Sequence, residues 1–286
     1  VTVHDVFALE EGAEGSEAWR AKMRRRYREV AERADLVLCV SAWTRERLLA
    51  HHPGLDPQRV LVVPPGVEAR FRPEAASQAP APLPPLALDG PYVLFLGALV
   101  ARKRPGVLIE AWRLLGPDPP TLVLAGPDAG RGTLLRARAR EAGVAECVRF
   151  VGHLASEAVA PLLAAAEALV LPSRFEGFGL PALEALACGT PVVHSGRGGL
   201  AEATGGVGVE VDPDEPASIA AGIRRVLEDT ALRERLRARG LDHAAGHDWD
   251  TTARATRRAW ARVAGIHVRD QSPMGGVEPG ARKSAQ

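Results

Sequence analysis

With 286 residues the chain can bury two ordinary cores, and two domains are expected. Its 46% hydrophobic and 25% charged residues match the globular average and exclude a disordered or fibrous class. Basic side chains number 36 and acidic ones 35, a net charge of +1 that gives no field to hold a polyanion, so no nucleic-acid partner is expected.

In chain order, Val1-Thr2-Val3 reads as a strand running into His4-Asp5, and the sequence is expected to open in mid-domain. A helical stretch follows in which Arg20, Lys22, Arg24, Arg25, Arg26 and Arg28 interleave with Trp19, Met23 and Tyr27. A solvated helix face is the simpler reading of residues 19–28; peripheral contact with an anionic membrane is the other. Apolar runs then recur at 36–40, 60–63, 92–96, 121–125, 148–151, 169–171, 192–194 and 207–211, nearly all continuous. Strands buried on both faces and joined by helical crossovers read this way, which predicts an α/β fold of parallel, Rossmann-like sheets. The Pro/Ala-rich stretch 74–90, with Pro80, Pro82, Pro84 and Pro85, suits no regular element and is read as a linker. It divides an incomplete first domain, 1–73, from a second at 91–246. A helix within 247–264 is expected to pack back on the first domain, and the Gly/Pro/Ser-rich tail 265–286 is expected to be disordered. Cys39, Cys147 and Cys188 show no CxxC and no metal-like spacing, so they read as buried thiols in a reducing compartment. No apolar run approaches roughly 20 residues and no signal peptide is visible, so the expected location is cytoplasmic.

The segment Pro172 to Pro191 carries most of the chemistry, with a strand, a glycine loop and a short helix in order. Pro181 suits a first helical turn and Gly189 the position just past the end, so the helix spans about two turns. Its N-terminus follows Gly177-Phe178-Gly179, where open backbone N–H groups and the helix dipole favour an anion such as diphosphate. Glu184 leans back toward that end, within reach of a ribose diol, while Glu176 in the loop is expected to face hexose hydroxyls. Only Lys22, Lys103 and Lys283 are lysines, which marks Lys103, beside Arg102, as a selected point charge.

Glu176 and Glu184, eight apart and bracketing Gly-Phe-Gly-Leu-Pro ahead of Ala-Cys-Gly-Thr-Pro, resemble the E-x7-E signature of retaining glycosyltransferases of family 4, which have the GT-B fold. The similarity extends over Val3-His4-Asp5, Val40-Ser41, residues 62–67, residues 97–104, Phe150-Val151-Gly152-His153 and His247-Asp248-Trp249, or about 1–263. It implies that Arg102 and Lys103, after the Gly97 turn, bridge the donor diphosphate and stabilise the leaving nucleotide. It also implies that His4 faces the donor sugar across the cleft, that Gly177, Phe178, Gly179 and Leu180 shape the phosphate loop, and that Gly152, His153 and Leu154 lie against the base. Ala98 stands where many relatives carry arginine, an arrangement shared by a mannosyltransferase-like subgroup, which points to GDP-mannose rather than a UDP-sugar. No cofactor and no DxD-like metal clamp is expected. The implied activity is metal-independent transfer of a mannose- or glucose-type hexose from a nucleotide-diphosphate sugar to a hydroxyl of a glycan, glycolipid or small molecule, with retention of configuration. In the family the acceptor domain begins earlier, with a glycine-rich loop touching the donor phosphate, so an N-terminal truncation is expected. A non-catalytic nucleotide-sugar binding module, or an inactive truncated relative, is the alternative. Gly196-Arg197-Gly198-Gly199 lacks the spacing and acidic partner of a dinucleotide loop, which disfavours an NAD enzyme.

Overall fold

The structure, a computed structural model, describes residues 1–10, 13–78 and 90–265. The N-terminal lobe comprises β1 (Thr2–Val3), α1 (Glu17–Arg33), β2 (Val37–Cys39), α2 (Ala42–His51) and β3 (Val60–Val62), its three strands paired in parallel in the order β1-β2-β3. Both helices start at a serine N-cap: Ser16 accepts from the Trp19 N–H and Ser41 from the Thr44 N–H. Val3, Val37, Cys39, Leu48 and Val60 form the core on one face of this sheet.

The second lobe runs through β4 (Tyr92–Leu96), α3 (Pro105–Trp112), β5 (Thr121–Ala125), α4 (Gly132–Glu141), β6 (Val148–Gly152), α5 (Ser156–Ala164), β7 (Ala168–Leu171), α6 (Leu180–Ala187), β8 (Val192–His194), α7 (Leu200–Thr204), β9 (Val209–Glu210), α8 (Pro216–Glu228) and α9 (Thr230–Ala245). Its six strands pair in parallel in the order β6-β5-β4-β7-β8-β9, with β7 and β8 wholly buried. The chain then returns through α10 (Trp249–Ala264), whose Ala259 packs with Leu36, Leu38 and Val63 on the other face of the N-terminal sheet.

The runs predicted at 92–96, 121–125 and 192–194 coincide with β4, β5 and β8. The run at 207–211 contracts to β9, because the Val207 N–H closes the turn after α7 onto the Thr204 carbonyl at 2.8 Å. Pro73–Gln78 corrects the reading of 74–90 as wholly irregular: it forms a 3-10 helix packed on α5, with Ala75 buried, before the first of the clustered prolines. Residues 79–89 and the expected disordered tail from 266 onward lie outside the described residues. Cys39 and Cys188 are buried, whereas Cys147 is half-buried. Among the described residues no helix is long and apolar enough to cross a membrane.

The strand order fixes where a ligand can bind. From β4 the chain moves outward to β5 and β6, then crosses back to β7 on the other side of β4. The carboxyl ends of β4 and β7 therefore flank the point where the winding reverses, the usual ligand crevice of an open α/β sheet. The loops leaving these two strands carry Gly97 to Arg104 and Pro172 to Gly179.

Candidate functional site

At the end of β4, Gly97 adopts φ +146 and makes room for Lys103, whose Nζ would lie 2.9 Å from a Cβ at that position. Ala101–Lys103 forms a single 3-10 turn. From it Lys103 Nζ reaches Glu176 Oε1 at 2.6 Å, and Arg102 Nη1 donates to Glu176 Oε2 at 3.2 Å. Ser173 Oγ donates to Oε1 at 2.8 Å, and the Arg102 guanidinium lies 4.5 Å from the centre of the Phe7 ring. Lys103 and Glu176 side chains are each only 11% exposed. Burial pushes the Glu176 carboxyl up, but Lys103 and Arg102, with the Lys103 and Ser173 hydrogen bonds, outweigh it and hold the group below its ordinary value. The expected role of Glu176 toward hexose hydroxyls is thus joined by another: both oxygens already tie the two cations to the loop after β7. Arg102 and Lys103 thus share this one carboxylate.

The glycine turn sits beside this cluster. Gly177, Phe178 and Gly179 are buried, and Gly179, at φ +109, is the N-cap of the two-turn helix α6, with Pro181 in its first turn and Leu180 half-buried. A Cβ on Gly177 would overlap the His4 carbonyl oxygen, so the two lobes touch backbone to backbone here. Gly196 to Gly199 acts as a brace. The Gly199 N–H donates to the Glu176 carbonyl at 2.8 Å, and Gly198, at φ +67, pairs with Glu176. That role was not legible in the sequence, since a backbone brace carries no side-chain signal. Glu184, in the second turn of α6, is pushed by burial up to about 7 against the attraction of Arg70.

A cleft of about 380 Å³ opens between the lobes, walled by Arg102, Glu176 and Gly177 to Leu180 on one side. His4, Asp5, Phe7, Val40 and Pro65 face them, with Trp249 and Thr252 of α10. His4 is exposed on this wall. Asp5 is an unforeseen member: burial raises its carboxyl, opposed by the Phe7 N–H and Arg102 and reinforced by Glu176. Lys103 sits behind Glu176 rather than on the wall. Glu184 and Gly152-His153-Leu154 also stand off it. Gly152 and His153 are exposed at the end of β6, Leu154 is half-buried, and Gly152 accepts from the Gly126 N–H at 2.7 Å.

Two parallel α/β lobes closing on a cleft, with paired cations and a helix N-terminus at a sheet switch point, define the GT-B class of glycosyltransferase folds. Residues 84–243 match the model of glycosyl transferases group 1, residues 1–71 match that of Glycosyltransferase Family 4, and the chain belongs to the glycosyl transferases group 1 family. It is 38% identical over 243 residues to a D-inositol 3-phosphate glycosyltransferase of Acidothermus cellulolyticus, covering 79% of this chain and 54% of the relative. It is 35% identical over 276 residues to one of Kineococcus radiotolerans, covering 88% and 61%. The chain thus spans little more than half the length of these relatives. Among solved structures, sucrose-phosphate synthase of Thermosynechococcus elongatus superposes with a TM-score of 0.77 at 27% identity, over 92% of this chain and 67% of that one. Anabaena HepE in complex with UDP and glucose gives 0.77 at 22%, over 91% and 70%, a likeness of fold.

Proposed function

We propose that the chain forms the donor side of a glycosyltransferase, gripping a nucleotide-diphosphate sugar while its hexose passes to an acceptor hydroxyl. The observation that carries this reading is the Lys103–Glu176–Arg102 cluster set beside the open N-terminus of α6, two cations held at the crevice of the sheet. As the glycosidic bond of the donor breaks, charge develops on the leaving diphosphate; Arg102, Lys103 and the helix N-terminus are fixed there to stabilise it without a metal ion. The acceptor hydroxyl attacks from the face the diphosphate leaves, its proton passing to the leaving phosphate oxygen, and configuration is retained. Glu176 holds the cations, Glu184 takes the ribose diol, and His4 faces the sugar from the other lobe. Residues 1–73 supply the acceptor side and 91–246 the donor domain.

The similarity to D-inositol 3-phosphate glycosyltransferases supports D-inositol 3-phosphate as the first acceptor to try. The comparisons give the expected GDP-mannose no support; HepE was solved with UDP and with UDP-glucose. The test of the main reading is to incubate the chain with UDP-glucose or GDP-mannose and D-inositol 3-phosphate in chelator, following release of nucleoside diphosphate and the anomeric configuration of the product by NMR. Acceptor-dependent release with retention is expected, reduced about 100-fold or more in Lys103→Ala. Donor binding without transfer would instead favour the non-catalytic module.

A further inference from the structure

The Gly177 carbonyl is held by the opposite lobe. Ser41 Oγ donates to it at 2.6 Å and Thr44 Oγ1 at 3.0 Å, while Ser41 Oγ also accepts from the Thr44 N–H at 2.9 Å as the N-cap of α2. All of these groups are buried. Around them the lobes are joined again. Glu202 of α7 accepts from the N–H groups of Ala42 and Trp43 at 2.7 and 2.9 Å, and Trp43 stacks on Phe175 with ring centres 5.8 Å apart. One end of α2 therefore grips the turn that lines the cleft.

A peptide group is planar and trans, so fixing its carbonyl fixes the N–H on the opposite side of the same plane. The N–H paired with the Gly177 carbonyl belongs to Phe178, which lines the cleft. Gly177 has no side chain to hold the peptide in place, and the next glycine, Gly179, sits at φ +109. Left alone, such a turn has several orientations within reach.

We propose that Ser41 and Thr44 are positioning residues of the N-terminal lobe that aim the Phe178 amide at the anionic donor. The proposal rests on the donor-site reading above. It makes the aim of the phosphate turn depend on closure of the lobes: when the cleft opens, the two hydroxyls leave the Gly177 carbonyl and the amide loses its direction. Sugar transfer is thereby confined to the closed form, where water is excluded. Ser41 touches neither reactant; it acts through the peptide it holds.

The test follows the backbone amides of the full chain by ¹H–¹⁵N NMR during titration with UDP-glucose and GDP-mannose. In the unmodified chain the Phe178 amide should shift on saturation with the preferred donor. In Thr44→Val, which leaves the α2 cap intact, and in Ser41→Ala, Kd should rise about tenfold and the Phe178 shift should shrink, while Ser41→Thr restores both. A Thr44→Val chain with unchanged melting temperature, Kd and Phe178 shift would overturn the proposal and leave the donor site standing. No saturable binding of either donor by the folded unmodified chain would remove the donor-site reading and the proposal with it.

Discussion

Lys103 is retained as one of three lysines in a chain that otherwise uses arginine, and its position explains why. A compact ammonium packs against Gly97 and reaches Glu176 at 2.6 Å as a point charge, a contact the planar fork of a guanidinium would not reproduce in kind. Removing it leaves the Glu176 carboxylate buried with only Arg102 and Ser173, so Lys103→Met should destabilise the fold by about 3 kcal/mol in urea denaturation as well as weaken nucleotide binding. Glu184 behaves in the opposite sense. Its carboxyl is pushed by burial up to about 7 from 4.5, so across that range the folded state holds a proton the unfolded chain has already released, and stability falls as pH rises. Glu184→Gln should therefore raise the melting temperature at pH 8, by the equivalent of about 1–3 kcal/mol, and leave it nearly unchanged at pH 4.5. Paired thermal melts of the two chains at both pH values check this.

At the scale of elements, the turn from β7 into α6 shows what a sequence can reveal. Pro181 and Gly189 bound a helix of about two turns, and the observed α6 spans Leu180–Ala187, with Gly189 at φ +72 past its end. The continuous apolar strands were equally legible, because burial on both faces leaves an unbroken pattern. Three features were not. The 3-10 helix at Pro73–Gln78 is too short to show a period, and it owes its place to packing on α5. Asp5 looked like the second half of a pair whose histidine mattered, and only the approach of Phe7, Arg102 and Glu176 gives it a role. The brace formed by Gly198 and Gly199 depends on backbone contact with the Glu176–Gly177 turn. That contact yields a prediction. Gly177→Ala would drive a Cβ into the His4 carbonyl, so it should cost about 2 kcal/mol or more in chemical denaturation.

At the scale of the whole molecule, the two lobes are clasped by reciprocal carboxylates. Glu14 of the N-terminal lobe accepts from the N–H groups of Ala101 and Arg102 at 3.0 and 2.6 Å, and Glu202 of the second lobe accepts from Ala42 and Trp43. Each carboxylate meets the positive end of a helical turn, a charge-assisted contact. These pairs lie 87 to 160 residues apart in sequence, which is why neither could be read from local pattern. α10 completes the joint by returning to the N-terminal sheet, its Thr252 hydroxyl donating to the Pro64 carbonyl at 2.8 Å. Replacing both carboxylates, as Glu14→Gln/Glu202→Gln, should open the cleft and raise the radius of gyration measured by small-angle scattering; an unchanged radius would mean that other contacts hold the lobes. The most direct test of the donor site is calorimetric titration of UDP-glucose, GDP-mannose and ADP-glucose into the chain and into Lys103→Ala. A donor site at the Lys103–Glu176–Arg102 cluster predicts saturable binding of one nucleotide class, lost or weakened at least tenfold in the variant; no binding by the folded chain, or equal binding by both chains, would contradict it.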